Sequence, residues 1–216
     1  SYGKHTARCD NPFKRTWSYI IMYSPLQNAI SFLLGIFFSM DIYTVLLRII
    51  FQIMRVNFYN PVAQFIVKVT NPTLIPLRRI IPGYRGYDIA GFVLVILLQL
   101  IFILLSLLIS GSLPTFSTNF CLGISIWTIG ALIATVFGLY IYLVIISIIL
   151  SWVMPMSPVS SVLNLLTEPL LSPIRRRVPP IGMFDLSPLI FLIGIQLCQI
   201  LISSPITKYG QDLMRH

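Results

Sequence analysis

Two arginine clusters stand in matching surroundings. Arg78 and Arg79 lie between Pro76 and Pro82; Arg175 and Arg176 lie between Pro173 and Pro179, with Arg177 added in the second cluster. A guanidinium is permanently charged and presents a planar fork of donors that fits phosphate and carboxylate. With Lys68, these arginines are candidates for binding anionic lipid headgroups or a protein partner. The same residues have a purely structural reading, in which they set membrane orientation and rest on lipid phosphates.

A second candidate lies inside an apolar run. Asp41 falls near its middle, where a lone carboxylate is costly. Arg48 follows two turns later on the same helix face, close enough to the end of the run to snorkel. Asp41 therefore suggests a proton or cation site in a narrow ion or osmolyte conductor. The alternative is a neutral or hydrogen-bonded Asp41 that ties its helix to Tyr140 or Gln99. The other apolar runs contain no second ionisable group to continue a relay.

No nucleophile–base pair, carboxylate pair or glycine-rich phosphate loop occurs, so the expectation is a protein that is not an enzyme. The only histidines, His5 and His216, sit at the two ends, and Cys9, Cys121 and Cys198 form no Cys-x-x-Cys pair. Neither a metal site nor a cofactor is expected. The net charge of +9 does not point to nucleic acid, because the arginines flank apolar segments with no soluble module around them.

These residues must be positioned by a membrane fold. The 216 residues are 56% hydrophobic and 10% charged, with a mean hydropathy of +0.88, where a soluble domain carries about 25% charged residues. Four apolar runs long enough to span a bilayer cover about 30–54, 89–109, 126–153 and 186–202. Between the first and second, and again between the third and fourth, lies one repeated block. Pro61, Pro72, Pro76, Arg78, Arg79, Pro82 and Asp88 recur 97 positions later as Pro158, Pro169, Pro173, Arg175, Arg176, Pro179 and Asp185. The expected fold is all-α and polytopic: four transmembrane helices forming two parallel helix–loop–helix repeats, 30–110 and 126–204, joined by a non-cytoplasmic connection, 111–125.

Each block begins with a cap and a proline, Asn60-Pro61 or Ser157-Pro158, which opens a helix. Val62, Phe65, Ile66 and Val69, like Val159, Val162, Leu163 and Leu166, predict a short amphipathic helix at the membrane interface, apolar face down. Pro72 and Pro76, like Pro169 and Pro173, are expected to break it and start another turn, which stops at Pro82 or Pro179. Asp88 and Asp185 are expected to cap the following spans. Gly130, Ala134 and Gly138 form a small-residue seam for packing between the repeats or between protomers of a homo-oligomer. By the positive-inside rule both arginine blocks face the cytoplasm. The basic segment 1–21 conflicts with that orientation. Met22 is therefore the expected start, within an N-terminal tail of 1–29, and 205–216 the expected C-terminal tail.

The duplicated proline–arginine block resembles the YggT family of small bacterial membrane proteins, called YlmG in Gram-positive bacteria and plastids. The resemblance runs from about Ile30 to Ile202. It is carried by Phe58-Tyr59-Asn60-Pro61, Lys68-Val69-Thr70-Asn71-Pro72, Pro76-Leu77-Arg78-Arg79-Ile80-Ile81-Pro82, Ser151-Trp152 and Glu168-Pro169-Leu170-Leu171-Ser172-Pro173-Ile174-Arg175-Arg176. Asp41, Tyr43 and Arg48 fit the family's first span, while Arg55 departs from it, its counterpart being Trp152. The resemblance implies an inner-membrane protein linked to osmotic or envelope stress tolerance, cell division and nucleoid distribution or, in chloroplasts, haem attachment to cytochromes. It supplies no catalytic residue. The leading expectation is a scaffold or accessory factor that docks anionic lipid or an envelope or division partner through its two arginine blocks.

Overall fold

The computed structural model describes residues 25–56, 59–81, 88–111, 117–178 and 185–214. Among them there is no strand. Helices α1 (Pro25–Ile53), α3 (Ile89–Ile109) and α4 (Thr118–Val153) are long and apolar enough to cross a membrane. So is a fourth segment, Ser187–Leu213, made of α6 (Ser187–Cys198), a π-helical turn (Gln199–Ser203) and α7 (Ser204–Leu213). The amphipathic helices α2 (Pro61–Ile80) and α5 (Pro158–Arg175) lie between the spans of each repeat. The molecule is a multi-pass all-α membrane protein. At about 1.5 Å per residue, the 29 residues of α1 extend roughly 43 Å, beyond a hydrocarbon core of about 30 Å, so its ends reach the interfaces.

Within each repeat the two spans pack on each other: α1 on α3, and α4 on α6, the π turn and α7. The repeats join through α1 and α3 against α4, and through α2 against α5. The caps form as the sequence implies. Asn60 Oδ1 accepts the Val62 N–H at 2.9 Å, and Ser157 Oγ accepts that of Ser160 at 3.0 Å. Asp88 caps α3 by accepting the Gly91 N–H at 3.1 Å. Asp185 stands one residue before the cap position of α6 and accepts the Ser187 N–H at 2.9 Å.

The four inner prolines do not break the amphipathic helices, contrary to expectation. Pro72 and Pro76 lie inside α2, Pro169 and Pro173 inside α5. Each proline removes one hydrogen bond to the carbonyl four residues back. In both helices these prolines and the residues that lose a bond, Lys68 and Leu165 among them, form one exposed row, where the freed carbonyls are not sealed in the protein. The helix ends at Ile80, and Ile81 is extended (φ −116°), as the residue before a proline must be. Pro82 and Pro179 lie outside the described residues, as do Met22 and the rest of 1–24.

The buried face is shifted from the expected one in α2, whereas in α5 the expected Val162, Leu163 and Leu166 are buried. Ala63, Ile66, Thr70 and Leu74 are buried in α2, and their counterparts 97 positions on, Ser160, Leu163, Thr167 and Leu171, are buried in α5. Phe65, Val69 and Val159 are exposed. The amphipathic helices therefore pack against the protein's own spans, in one core with Val45, Ile49, Leu94 and Leu143. A threonine fits this apolar stripe because its hydroxyl bonds back into its own helix. Thr70 Oγ1 donates to the Ile66 carbonyl at 2.8 Å and Thr167 Oγ1 to that of Leu163 at 2.9 Å.

Three boundaries move, the first being that of α1, which begins at Pro25 inside the expected N-terminal tail. α4 begins at Thr118, inside the expected connection, and residues 204–213 form α7 rather than a tail. α7 packs on the first half of α4 through small residues. A Cβ on Gly210 would lie 2.6 Å from the Trp127 nitrogen, and one on Gly130 2.9 Å from the Thr207 nitrogen. Burial of apolar groups does not draw helices together in lipid, so such close backbone contact is the main source of their adhesion. Ser203 Oγ adds a bond to the Gly130 carbonyl at 3.0 Å. Of the expected seam, Gly130 thus serves contact within the second repeat, and Gly138 meets Tyr43 of the first. Pro205 has no N–H for the Leu201 carbonyl, which accounts for the π turn just before it.

Candidate functional site

The end of α1 is held by a Schellman turn. The Val56 N–H bonds the Phe51 carbonyl at 2.9 Å, and the Arg55 N–H bonds that of Gln52 at 3.2 Å. Arg55 takes the left-handed position (φ 52°) where glycine is usual, and Val56 and Phe51 are both buried. This turn swings the chain back so that α2 lies against the last turns of α1.

Arg48 is buried (7% exposed) and does not snorkel outward. It points into α2, where its Nη1 donates to Thr70 Oγ1 at 2.6 Å and Asn71 Oδ1 at 3.0 Å and lies 3.5 Å from the Val67 carbonyl. Arg48, Gln52, Gln64, Val67, Lys68, Asn71 and Arg78 line a cavity of about 520 Å³.

Arg78 is also an architectural residue. Its Nη2 meets Asp88 Oδ2 at 2.5 Å, and the same carboxylate caps α3 through its other oxygen. Arg175 repeats this with Asp185 (2.8 Å) and adds Glu168 (2.7 Å). Each repeat therefore latches the end of its amphipathic helix to the start of its second span. Burial pushes the Asp185 carboxyl up. Ser187, whose N–H it accepts and whose hydroxyl lies beside it without an aligned bond, acts with Arg175 to outweigh this and hold it below the ordinary carboxylate range. The latch was legible as Arg-x9-Asp at the same offset in both repeats, though each residue alone suggested a different role.

Arg79, Arg176 and Arg177 are exposed at the ends of α2 and α5, and Lys68 is exposed on the flank of α2. Asn60 Nδ2 donates to the Pro158 carbonyl at 3.3 Å, joining the starts of the two amphipathic helices. Asp41 is half-buried, and among the described residues its carboxylate bonds neither Tyr140, nor Gln99, nor Arg48. The residues that sequence reasoning missed are Gln52, one turn after Arg48 on α1, and Thr70, Asn71 and Gln64, which face Arg48 or its cavity only after α2 folds back. Among the described residues no three His, Cys, Asp or Glu side chains group as metal ligands.

The family model for CCB3/YggT matches residues 27–109 and again 126–206, one match per structural repeat. An uncharacterized protein of Pseudomonas aeruginosa is 41% identical over 82% of this chain and 89% of its own length. One from Vibrio alginolyticus is 42% identical over 81% and 94%. The uncharacterized protein YggT of Escherichia coli K12 is 33% identical over 87% and 96%. No solved structure matches the chain. With its duplicated proline–arginine block, its four spans and a family match over both halves, the chain belongs to the CCB3/YggT family.

Proposed function

We propose that this protein is a non-enzymatic scaffold of the bacterial inner membrane, with α2 and α5 together forming its cytoplasmic docking platform. The platform binds anionic lipid headgroups and presents the same basic edge to an envelope or division partner, as an accessory to osmotic or envelope stress tolerance or to cell division. The observation that supports this most is the joining of α2 to α5 in one core, with Arg79, Arg176 and Arg177 exposed at their ends. Orientation follows from the concentration of basic residues on these segments.

The test is an Arg79→Ala, Arg176→Ala, Arg177→Ala variant in cells lacking the native protein. Normal insertion with lost tolerance of osmotic upshift supports docking. Lost insertion assigns these arginines to topology alone, and full tolerance removes the docking role. A second reading, a narrow ion or osmolyte conductor, is supported by the Asp41 carboxylate in α1, which bonds none of the described residues. Cation flux in proteoliposomes that disappears with Asp41→Asn would favour it over the scaffold.

A further inference from the structure

The two repeats share a backbone plan and differ in how their arginines are neutralised. In the second repeat, Arg175 is met by two carboxylates of the chain itself, Asp185 and Glu168. In the first, Arg78 has Asp88, but the counterpart of Glu168 is the neutral Asn71, and the counterpart of Ile145 is a further cation, Arg48. The chain has six acidic residues in all, and among the described ones none forms an ion pair with Arg48. Every hydrogen bond of Arg48 to a described residue uses Nη1 and goes to a neutral group. Its Nη2 and Nε bond no described residue, and the side chain lines the cavity with Lys68 and Arg78. A buried guanidinium without a counter-charge is costly. Once Asp88 has offset one of the three cations, the cavity keeps two positive charges and a rim of amides, Gln52, Gln64 and Asn71.

We infer that this cavity binds the phosphate of an anionic phospholipid headgroup, and that the first repeat takes from the membrane the anion that the second carries as Glu168. Arg48 and Lys68 supply charge-assisted donors, and the amides complete the cage. The lipid is preferred to a soluble phosphate because the cavity lies at the end of a span. Phe65 and Val69 also stand exposed on α2 next in sequence to the lining residues Gln64 and Lys68, offering an apolar surface to an acyl chain. The inference deepens the docking reading by naming one site for lipid. It is measured apart from that reading, because occupancy of the cavity in detergent does not depend on whether Arg79, Arg176 and Arg177 dock anything in cells.

The experiment titrates delipidated protein in uncharged detergent with short-chain phosphatidic acid, inorganic phosphate and a short-chain diacylglycerol, reading thermal shift and calorimetric binding. Saturable binding of phosphatidic acid alone is expected. Arg48→Gln should weaken it by roughly tenfold to a hundredfold, the worth of one charge-assisted bond. Asn71→Glu should abolish it as well, while melting no earlier than wild type without lipid, because the new carboxylate reaches Arg48. That second variant keeps the test decisive if Arg48→Gln folds poorly. Lys208→Gln, which removes one exposed charge from α7, should leave binding unchanged. Absence of saturable binding, or equal binding by Asn71→Glu, overturns the site. Inorganic phosphate binding as tightly as phosphatidic acid overturns the lipid as its source.

Discussion

Gly210→Ala sets two effects of opposite sign against each other. Helix propensity alone favours alanine over glycine by about 0.8–1 kcal/mol in a helix interior. The structure places the new methyl 2.6 Å from the Trp127 nitrogen, 2.8 Å from the Gly123 carbonyl oxygen and 3.0 Å from the Trp127 Cα. All three belong to the backbone of α4, so no side-chain rotation relieves them. Ordinary contact needs about 3.5 Å or more, so α7 must move away by somewhat less than 1 Å along a well-packed seam. Overpacking of this kind costs about 1–3 kcal/mol, and the displaced seam also loosens the cluster of Ile103, Phe120, Ile124 and Met214. The expected net result is a loss of about 0–2 kcal/mol after the propensity gain is subtracted, with a larger loss for Gly210→Val. The assay is thermal unfolding of the detergent-solubilised protein by circular dichroism, with Gly35→Ala and Gly194→Ala as references, since neither added methyl has a neighbour within 4 Å. Those two should gain stability or show no loss. If Gly210→Ala gains as much as they do, the close approach of α7 to α4 is wrong, and so is its place in the fold.

Three further predictions address the turns and latches. Arg55→Gly should raise stability by up to about 1 kcal/mol in the same unfolding assay, because it relieves a left-handed residue at the end of α1; a loss would mean that the Arg55 side chain makes a compensating contact. A double-mutant cycle on Arg78→Gln and Asp88→Asn should give a coupling of about 1 kcal/mol, between the surface and buried limits, since Asp88 is buried while Arg78 is 41% exposed; a coupling indistinguishable from zero would remove the latch. The depressed Asp185 carboxyl implies a contribution complete above its unfolded value, about pH 4, and lost as pH falls through its lower folded value. Acid titration should therefore show wild type losing its advantage over Asp185→Asn below about pH 4 and keeping it above; a gap that stays constant down to pH 2 would contradict the pairing.

The architecture was legible because membrane spans depend on length and composition, both one-dimensional properties. A duplication at a constant offset also shows itself without any contact information. The caps at Asn60 and Ser157 were legible for the same reason, since a cap acts within three residues of its own position. The prolines were misread because proline weakens a helix by an amount that local sequence cannot weigh against packing. Leu74, Thr70 and Ile66 hold α2 to the core on one face while Pro72 and Pro76 stay on the other. The register of that face was misread because Phe65 and Val69 are as apolar as the residues that are buried, and lipid accepts them outside.

What the sequence determined by itself was the class of protein, its four spans, its repeat and the concentration of positive charge between the spans of each repeat. What only the tertiary structure decided was the division of labour among those charges. Arg78 and Arg175 turn to aspartates ten residues away, and Arg79, Arg176 and Arg177 remain exposed. Arg48, which in one dimension belongs to a transmembrane run, becomes the buried cation of a cavity in the first repeat. The reason is physical. The location of a charge along the chain sets the cost of burying it, but the groups that offset that cost come from another helix, and only folding brings Thr70 and Asn71 to Arg48.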